Sequence, residues 1–378
     1  MNSSLRNSWW GRIPLGFLGS MILILGVEWF LARHRADYMG ASLWGYENGR
    51  KLAARKVKNA GLLAFGDSLI KNGFSPRVIR ERTGLKGYNF AIAGAQAPAS
   101  YFLLREALAS GSRPKFVIVD FFPCLLSSDP WSNITHWPLL VNYRDCMDMA
   151  WQAGDSKLFA NLVARKTLPS VRYRESIRAE ILQSLRGFRG DMALGNQIAT
   201  RHWASNLGLE INEYRHDPNV SLDAKIAELF GKVDWTPLNR FYVDRFMKLA
   251  TDHGIKVVLL LPPYMPALQQ RLEEVGFDAE HEKFVRVMLD RYPGMDVIDA
   301  RKSKFEADVF IDINHLSFEG ATNFSAEIGE ILRRKQEGAG SLPRWSYLPT
   351  YRKRQVTVPH ESVQESRTVV LRDVELRR

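Results

Sequence analysis

The chain has 378 residues, of which 46% are hydrophobic and 25% are charged, and its formal net charge is +11. This composition excludes a chain that is disordered throughout, and the length suffices for one large core with an elaboration. The positive charge suits anionic lipid or an acidic polymer. Because the basic residues are spread along the chain and no nucleic-acid-binding motif accompanies them, a nucleic-acid partner is not expected.

Residues 1–36 are predicted to form a membrane anchor. Residues 13–32 are mainly apolar, and about 20 such residues are what a helix needs to cross a bilayer. Aromatic and basic side chains flank the stretch, as at membrane interfaces: Trp9, Trp10, Trp29, Arg6, Arg12, Arg33 and Arg35. A cleaved signal peptide is the competing interpretation, but Phe30-Leu31-Ala32 is a poor cleavage site. The basic residues are nearly balanced across the helix, so charge alone leaves its orientation open.

Apolar runs bounded by turn residues predict five parallel strands: Leu62–Phe65, Tyr88–Ile92, Phe116–Val119, Lys256–Leu261 and Met295–Ile298. Helical patterns alternate with them, at Ala99–Ser110, Leu238–Asp252 and Glu319–Arg334. This alternation predicts an α/β fold, a three-layer α/β/α sandwich with right-handed crossovers. The α/β domain is expected in two parts, residues 37–126 and 236–335.

The first predicted strand leads into Gly66-Asp67-Ser68, and Asp312 precedes His315 far downstream. Glycine permits a tight turn, so Ser68 is expected to stand exposed at the C-terminal edge of the sheet. Ser68 as nucleophile, His315 as base and Asp312 as its orienting carboxylate would form one catalytic system. Asp67 is expected to organise the turn through backbone N–H groups. Each pattern alone is weak, because turns and helix caps favour the same residue types.

Together these patterns resemble the SGNH (GDSL-type) hydrolases. Three of the four sequence blocks of that family have counterparts in the right order: Gly66 to Leu69 with Gly73, Asn89 to Gly94, and Asp312 to Leu316 with Gly320. The resemblance covers roughly residues 58–126 and 236–335. It implies a flavodoxin-like fold with five parallel strands, and an oxyanion hole formed by the backbone N–H groups of Ser68 and Gly94.

The third block of the family departs from the pattern. It usually supplies Gly-x-Asn-Asp, whose asparagine is a further oxyanion donor, but here the strand Phe116–Val119 runs into Asp120-Phe121-Phe122-Pro123. Losing one such donor typically costs several kcal/mol of transition-state stabilisation, on the order of 10²–10³ in rate. Either another group substitutes for the asparagine or the activity is modest.

The strand–helix alternation breaks down over residues 127–235, which are predicted to be a mainly helical insertion with patterns such as Glu175–Phe188. Since it follows the third strand, the insertion emerges at the same edge as Ser68 and could cover the site or recognise substrate. Its tryptophans could stack on sugar rings or build its own core: Trp131, Trp137, Trp151, Trp203 and Trp235. Residues 336–378 are polar and basic without periodicity, which predicts a flexible tail.

No cofactor or metal is expected. The histidines lack zinc-ligand spacing, and the nucleotide-binding glycine motifs are absent from the sequence. The two cysteines, Cys124 and Cys146, could pair or remain as two buried thiols.

The resemblance also implies a setting, because many single-anchor SGNH proteins act outside the cytoplasmic membrane on envelope polysaccharides, often beside a membrane-bound O-acyltransferase. The expected function is therefore a serine esterase or O-acyltransferase acting on ester-linked acyl groups, such as acetyl, of carbohydrate or a lipid-linked glycan. Whether hydrolysis or transfer occurs is left open. The alternative is a non-catalytic SGNH-like partner or scaffold of an O-acyltransferase or polysaccharide export complex; a lipid esterase or thioesterase ranks third.

Overall fold

The computed structural model describes residues 15–55, 57, 59–187, 191–212, 221–338 and 343–376. Its centre is a six-stranded sheet with strands β1 Leu62–Ala64, β2 Gly87–Asn89, β3 Phe116–Val119, β4 Lys256–Leu261, β5 Met295–Asp299 and β6 Trp345–Tyr347. All neighbouring strands are parallel, in the order β2-β1-β3-β4-β5-β6. The predicted α/β class with a parallel sheet is confirmed.

The described residues include 17 α-helices: α1 Leu15–Arg33, α2 Ala41–Ala53, α3 Ser68–Gly73, α4 Pro76–Thr83, α5 Ala97–Ala109, α6 Pro123–Leu126, α7 Tyr143–Ala153, α8 Ser156–Thr167, α9 Pro169–Arg172, α10 Arg174–Leu185, α11 Met192–Ser205, α12 Leu222–Leu229, α13 Pro237–Asp252, α14 Pro266–Glu274, α15 Phe277–Arg291, α16 Phe318–Gln336 and α17 Val363–Glu375. Helices α5 and α13 pack on one face of the sheet, and α4 and α16 pack on the other. Because both faces are covered, the central strands are continuous apolar runs.

The C-terminal segment differs from the prediction of five strands and a flexible polar tail. Strand β6 pairs with β5, placing Trp345 opposite Val297, and α17 packs against α11. The Glu361 carboxylate accepts two hydrogen bonds from the Arg201 guanidinium, at 2.7 and 3.0 Å. The segment is thus held by a short strand and a bidentate ion pair, neither of which produces the apolar periodicity on which the prediction depended. The sheet thus has one strand more than the five predicted, and the C-terminal segment contains packed elements that were not predicted.

The N-terminal helix α1 is long and apolar enough over Gly16–Arg33 to cross a membrane. Most of its side chains are exposed, including Trp29 at 62%. The predicted span begins at Ile13, which lies outside the described residues together with four of the predicted flanking residues: Trp9, Trp10, Arg6 and Arg12.

The insertion, residues 127–235, is mainly helical in its described part and contains α7 to α12. The predicted helix Glu175–Phe188 corresponds to α10, and Phe188 lies outside the described residues. Trp137 and Trp203 are buried and build the core, whereas Trp151 is 82% exposed. The tryptophans are therefore divided between packing and the surface.

The bidentate pair between Arg201 and Glu361 generates a stability prediction. Glu361→Gln should lower the free energy of unfolding by about 1–2 kcal/mol, because a charge-assisted hydrogen-bond pair in a partly buried setting is replaced by a neutral one. Urea unfolding of the detergent-solubilised chain measures this. Glu337→Gln is the matched control, since Glu337 pairs with Arg333 at the surface, where both side chains are well exposed, at 39% and 50%, and such pairs contribute little. Equal effects of the two substitutions would contradict the prediction.

Candidate active site

Ser68 stands at the turn that follows β1. Gly66 adopts φ +134°, a conformation that favours glycine, and Asp67 caps α3 by accepting a hydrogen bond from the Leu69 N–H at 2.7 Å. Ser68 is the first residue of that helix and is partly exposed. The turn therefore presents the serine hydroxyl at the C-terminal edge of the sheet, as predicted from the glycine.

A loop before α16 carries the other two predicted residues. The Asp312 carboxylate accepts the backbone N–H groups of Asn314 at 3.0 Å and of His315 at 2.8 Å, which fixes the loop locally. Its second oxygen lies 2.7 Å from His315 Nδ1, and His315 Nε2 lies 2.8 Å from Ser68 Oγ. The structure thus brings Ser68, His315 and Asp312 into one hydrogen-bonded row. This is the arrangement that a serine nucleophile, its general base and an orienting carboxylate require.

The Asp312 carboxylate is suited to remain ionised at neutral pH. Partial burial raises its pKa, but the hydrogen bond and charge of His315, with the two backbone N–H groups, bring the pKa below its ordinary value. A carboxylate facing Nδ1 selects the tautomer with the proton on that nitrogen and stabilises the imidazolium that forms when Nε2 takes a proton.

Gly94 lies on the loop that follows β2. The Ile92 N–H donates to the Gly66 carbonyl at 2.9 Å, which ties this loop to the turn that carries Ser68. Gly94 itself is exposed, with φ +68°. Among the hydrogen bonds of the described residues, neither the Ser68 N–H nor the Gly94 N–H has an acceptor. Both N–H groups are therefore available to a developing oxyanion.

Asp120 directly follows strand β3. Its side chain is buried, and its Oδ2 accepts the Asp67 N–H at 3.2 Å. A Cβ on Gly66 would lie 2.2 Å from Asp120 Oδ1, so the carboxyl packs directly on the glycine backbone. From the sequence, Asp120 was considered only because no asparagine follows β3. Its position directly after the strand next to β1 was the signal that it could support the turn at Gly66 and Asp67.

Burial raises the pKa of Asp120 well above its ordinary value, and the nearby Asp67 charge raises it further. The Asp120 carboxyl therefore keeps its proton to a higher pH than an exposed aspartate does. A protonated carboxyl can donate a hydrogen bond as well as accept one, so Asp120 can hold the Asp67 backbone and side chain together.

Residues of the insertion contact the helix that carries Ser68. Asn72 donates to the Ser68 carbonyl at 2.8 Å, and Asn212 of the insertion donates to Asn72 at 2.9 Å. The Glu210 N–H donates to the carbonyl of Lys71, whose ammonium lies 4.1 Å from the ring centroid of Trp203. These amide and cation–π contacts connect distant segments, and the sequence carried no signal for them.

Another group of insertion contacts holds the Gly94 loop. Asn133 Nδ2 lies 3.4 Å from the Gly94 carbonyl, and Tyr46 donates to Asn133 at 3.0 Å. Gln96, buried beside Gly94, donates to Ser132 at 2.9 Å. The helix that begins with Ser68 and the Gly94 loop are thus both held by residues of the insertion.

The two cysteines are free and buried. Burial raises the pKa of Cys124 to about 12 and that of Cys146 to about 11, so both remain protonated thiols at neutral pH. In the described part of the chain, no group of three or more His, Cys, Asp or Glu side chains is arranged to hold a metal ion.

Comparison with known proteins adds no identification: no family model matches the chain, and no curated protein matches it. The chemistry inferred for the site therefore depends on the geometry of its own residues.

The contact between Gly66 and Asp120 predicts a severe effect of Gly66→Ala. The methyl group would meet a buried carboxyl at a backbone conformation that alanine rarely adopts, so we expect a loss of about 3 kcal/mol or more in the free energy of unfolding. Gly84→Ala is the matched control, because Gly84 also has positive φ but open space around it, and it should cost only about 1 kcal/mol. Urea unfolding compares them; similar losses would show that the Asp120 contact is not limiting.

The raised pKa of Asp120 predicts a pH-dependent stability. The unfolded carboxyl ionises near its ordinary pKa of about 3.9, whereas the folded one keeps its proton to higher pH, so this group lowers stability as pH rises between the two values. Asp120→Asn cannot ionise, so its unfolding free energy should fall less than that of the wild type as pH rises above about 4, by about 1.4 kcal/mol for each unit by which the folded pKa exceeds the ordinary one. Asp120→Ala should be destabilised at every pH. Parallel pH profiles of the wild type and Asp120→Asn would contradict a raised pKa of Asp120.

Proposed function

We propose that the protein is a membrane-anchored SGNH-type serine esterase or O-acyltransferase that acts on ester-linked acyl groups, such as acetyl, of carbohydrate. One observation carries the proposal: Ser68 Oγ, His315 Nε2 and Nδ1, and Asp312 form a continuous hydrogen-bonded row although Ser68 and His315 are 247 positions apart. The order of the first five strands agrees with a flavodoxin-like three-layer sandwich, with β6 added at one edge.

In the proposed mechanism, Ser68 Oγ attacks the ester carbonyl while His315 Nε2 takes its proton. The negative charge on the carbonyl oxygen is stabilised by the N–H groups of Ser68 and Gly94. When the tetrahedral intermediate collapses, the bond to the leaving oxygen breaks and His315 gives its proton to the departing alcohol. The acyl group remains bound to Ser68 Oγ. Asp312 stabilises the imidazolium throughout these steps.

The fate of the acyl group depends on the second acceptor. Water activated by His315 gives an esterase, whereas a sugar hydroxyl in the same position gives an O-acyltransferase. Exclusion of water favours transfer. The insertion contacts the helix that begins with Ser68 and the Gly94 loop, so it is the element suited to govern access of water and of the glycan.

The proposed location is the cytoplasmic membrane, with α1 crossing the bilayer and the catalytic domain on the extracytoplasmic side. An acylated polysaccharide or lipid-linked glycan would be reached there, and a membrane-bound O-acyltransferase is the proposed partner. The length and apolar character of α1 support the anchor.

One observation favours a second function, a non-catalytic scaffold of an O-acyltransferase or export complex. Asp120 stands where the family supplies an oxyanion-donating asparagine, and its carboxyl is directed to the Asp67 backbone. A site with fewer oxyanion donors loses transition-state stabilisation. The intact row of Ser68, His315 and Asp312 favours the enzyme.

Ser68→Ala tests the proposal. Because the variant lacks the attacking oxygen but little packing, it should lose labelling by a fluorophosphonate probe and lose p-nitrophenyl acetate turnover by on the order of 10³-fold or more, while remaining folded. Ser362→Ala, at the N-cap of α17, is the control and should label normally. Polymer acylation in cells should also fall with Ser68→Ala. Normal acylation by this variant at wild-type abundance would reject the enzyme and favour the scaffold.

A further inference from the structure

The anchor helix α1 is held to the insertion by one polar contact. From Gly16 to Arg33, Glu28 is partly buried and Leu31 is buried, whereas the other residues are exposed. The Glu28 carboxylate accepts hydrogen bonds from the Ser170 backbone N–H, at 3.0 Å, and from the Ser170 hydroxyl. Ser170 belongs to α9, so the insertion contacts the anchor directly at this point.

The position of Glu28 sets the depth of α9. Glu28 lies five residues before the end of α1 at Arg33, which corresponds to about 7.5 Å along the helix axis. The interfacial layer on each side of the hydrocarbon core is roughly 5–7 Å thick. If α1 crosses the bilayer, as the proposed function requires, Glu28 and with it α9 lie within about 7.5 Å of the outer end of the membrane-spanning helix, near the boundary between acyl chains and headgroups.

Helix α10 follows α9, and its C-terminal half is exposed. All residues from 181 to 187 are exposed. Three large apolar side chains are among them: Ile181 is 56% exposed, Leu182 46% and Leu185 79%. Ile177, Ile181 and Leu185 recur every four residues, so they form one row that starts in the protein core and ends free of it.

The charge of this region complements an anionic surface. Between residues 165 and 186 there are six basic and two acidic residues. Arg174 and Arg178 are exposed on α10, on a row adjacent to the apolar one, and the exposed Arg186 directly follows the helix. An apolar row beside arginines is typical of helices that lie in the membrane interface, where the apolar side chains enter the acyl boundary and the arginines meet lipid phosphates.

We propose that α9 and α10 form a second membrane contact, in which α10 lies in the headgroup layer of an anionic phospholipid bilayer. This inference rests on the proposed anchoring by α1. Two contacts, α1 across the bilayer and α10 along its surface, fix the insertion relative to the membrane more firmly than a single helix can. The insertion also contacts the helix that begins with Ser68 and the Gly94 loop. An insertion with a fixed orientation therefore fixes the direction from which a lipid-linked substrate reaches the site.

Lipid quenching in nanodiscs tests the contact with the full chain. The variant Leu185→Cys is labelled with a fluorophore and incorporated into nanodiscs that contain brominated anionic phospholipid. Cys124 and Cys146 are buried, and any labelling of these two cysteines is measured on the chain without the new cysteine. Val287→Cys, at a 57% exposed position on α15, is the matched control. We expect quenching at residue 185 to exceed that at residue 287 by roughly twofold or more, because only α10 enters the lipid.

The double variant Arg174→Glu, Arg178→Glu tests whether the arginines of α10 attract the anionic lipid. In anionic nanodiscs this variant should reduce quenching at residue 185 to the level found with zwitterionic lipid. Incorporation of the chain without quenching at residue 185 would overturn the inference and leave the anchor intact. A blue-shifted but unquenched probe would overturn it in favour of a protein partner or second copy covering α10. Failure of the chain to enter nanodiscs would reject the anchor itself, and the inference with it.

Discussion

The close packing of the Asp120 carboxyl on the Gly66 backbone is the contact on which the candidate site depends. Strands β1 and β3 are neighbours, so the Gly66 backbone after β1 and the Asp120 side chain after β3 lie next to each other. Asp67 is then held between Asp120 and the start of α3, where it caps the helix that begins with Ser68. A single buried contact thus determines where the serine hydroxyl stands relative to His315.

The two halves of the site are stabilised by different physical means. The turn at Ser68 depends on tertiary packing and on the buried carboxyl of Asp120, whose pKa is raised by burial. The loop of His315 depends on local hydrogen bonds, since Asp312 accepts two backbone N–H groups within three residues of itself. The local half can form once its loop closes, whereas the other half needs a completed sheet. A change in the sheet should therefore displace Ser68 before it displaces His315.

Much of the sheet could be predicted because its central strands are buried on both faces. The bounds of β3 and β4 agree with the apolar runs, whereas β2 ends at Asn89 although the run continues to Ile92. There the Asn89 side chain accepts the Ala91 N–H and turns the chain out of the strand. Strand β6 was missed because three residues in a polar segment carry no periodicity, and only the edge of β5 makes them a strand.

The three residues of the hydrogen-bonded row could be predicted from two short motifs. Gly66-Asp67-Ser68 follows a predicted strand, and Asp312 lies three residues before His315. The contacts of Asp120 and of Asn212 could not be predicted, since they depend on which segments become neighbours after folding. The same holds for the Gly94 loop, whose amide contacts come from the insertion. The sequence therefore indicated the residues of the row more readily than the residues that hold them in position.

Helix α11 lies between two parts of the chain that are far apart in sequence. Asn196 donates to the carbonyls of Ala36 and Met39, shortly after α1, and Arg201 binds Glu361 near α17. During synthesis the early segment emerges first and the partner of Arg201 emerges more than a hundred residues after it. The packing of α11 against the C-terminal segment therefore waits until the residues around Glu361 have been made.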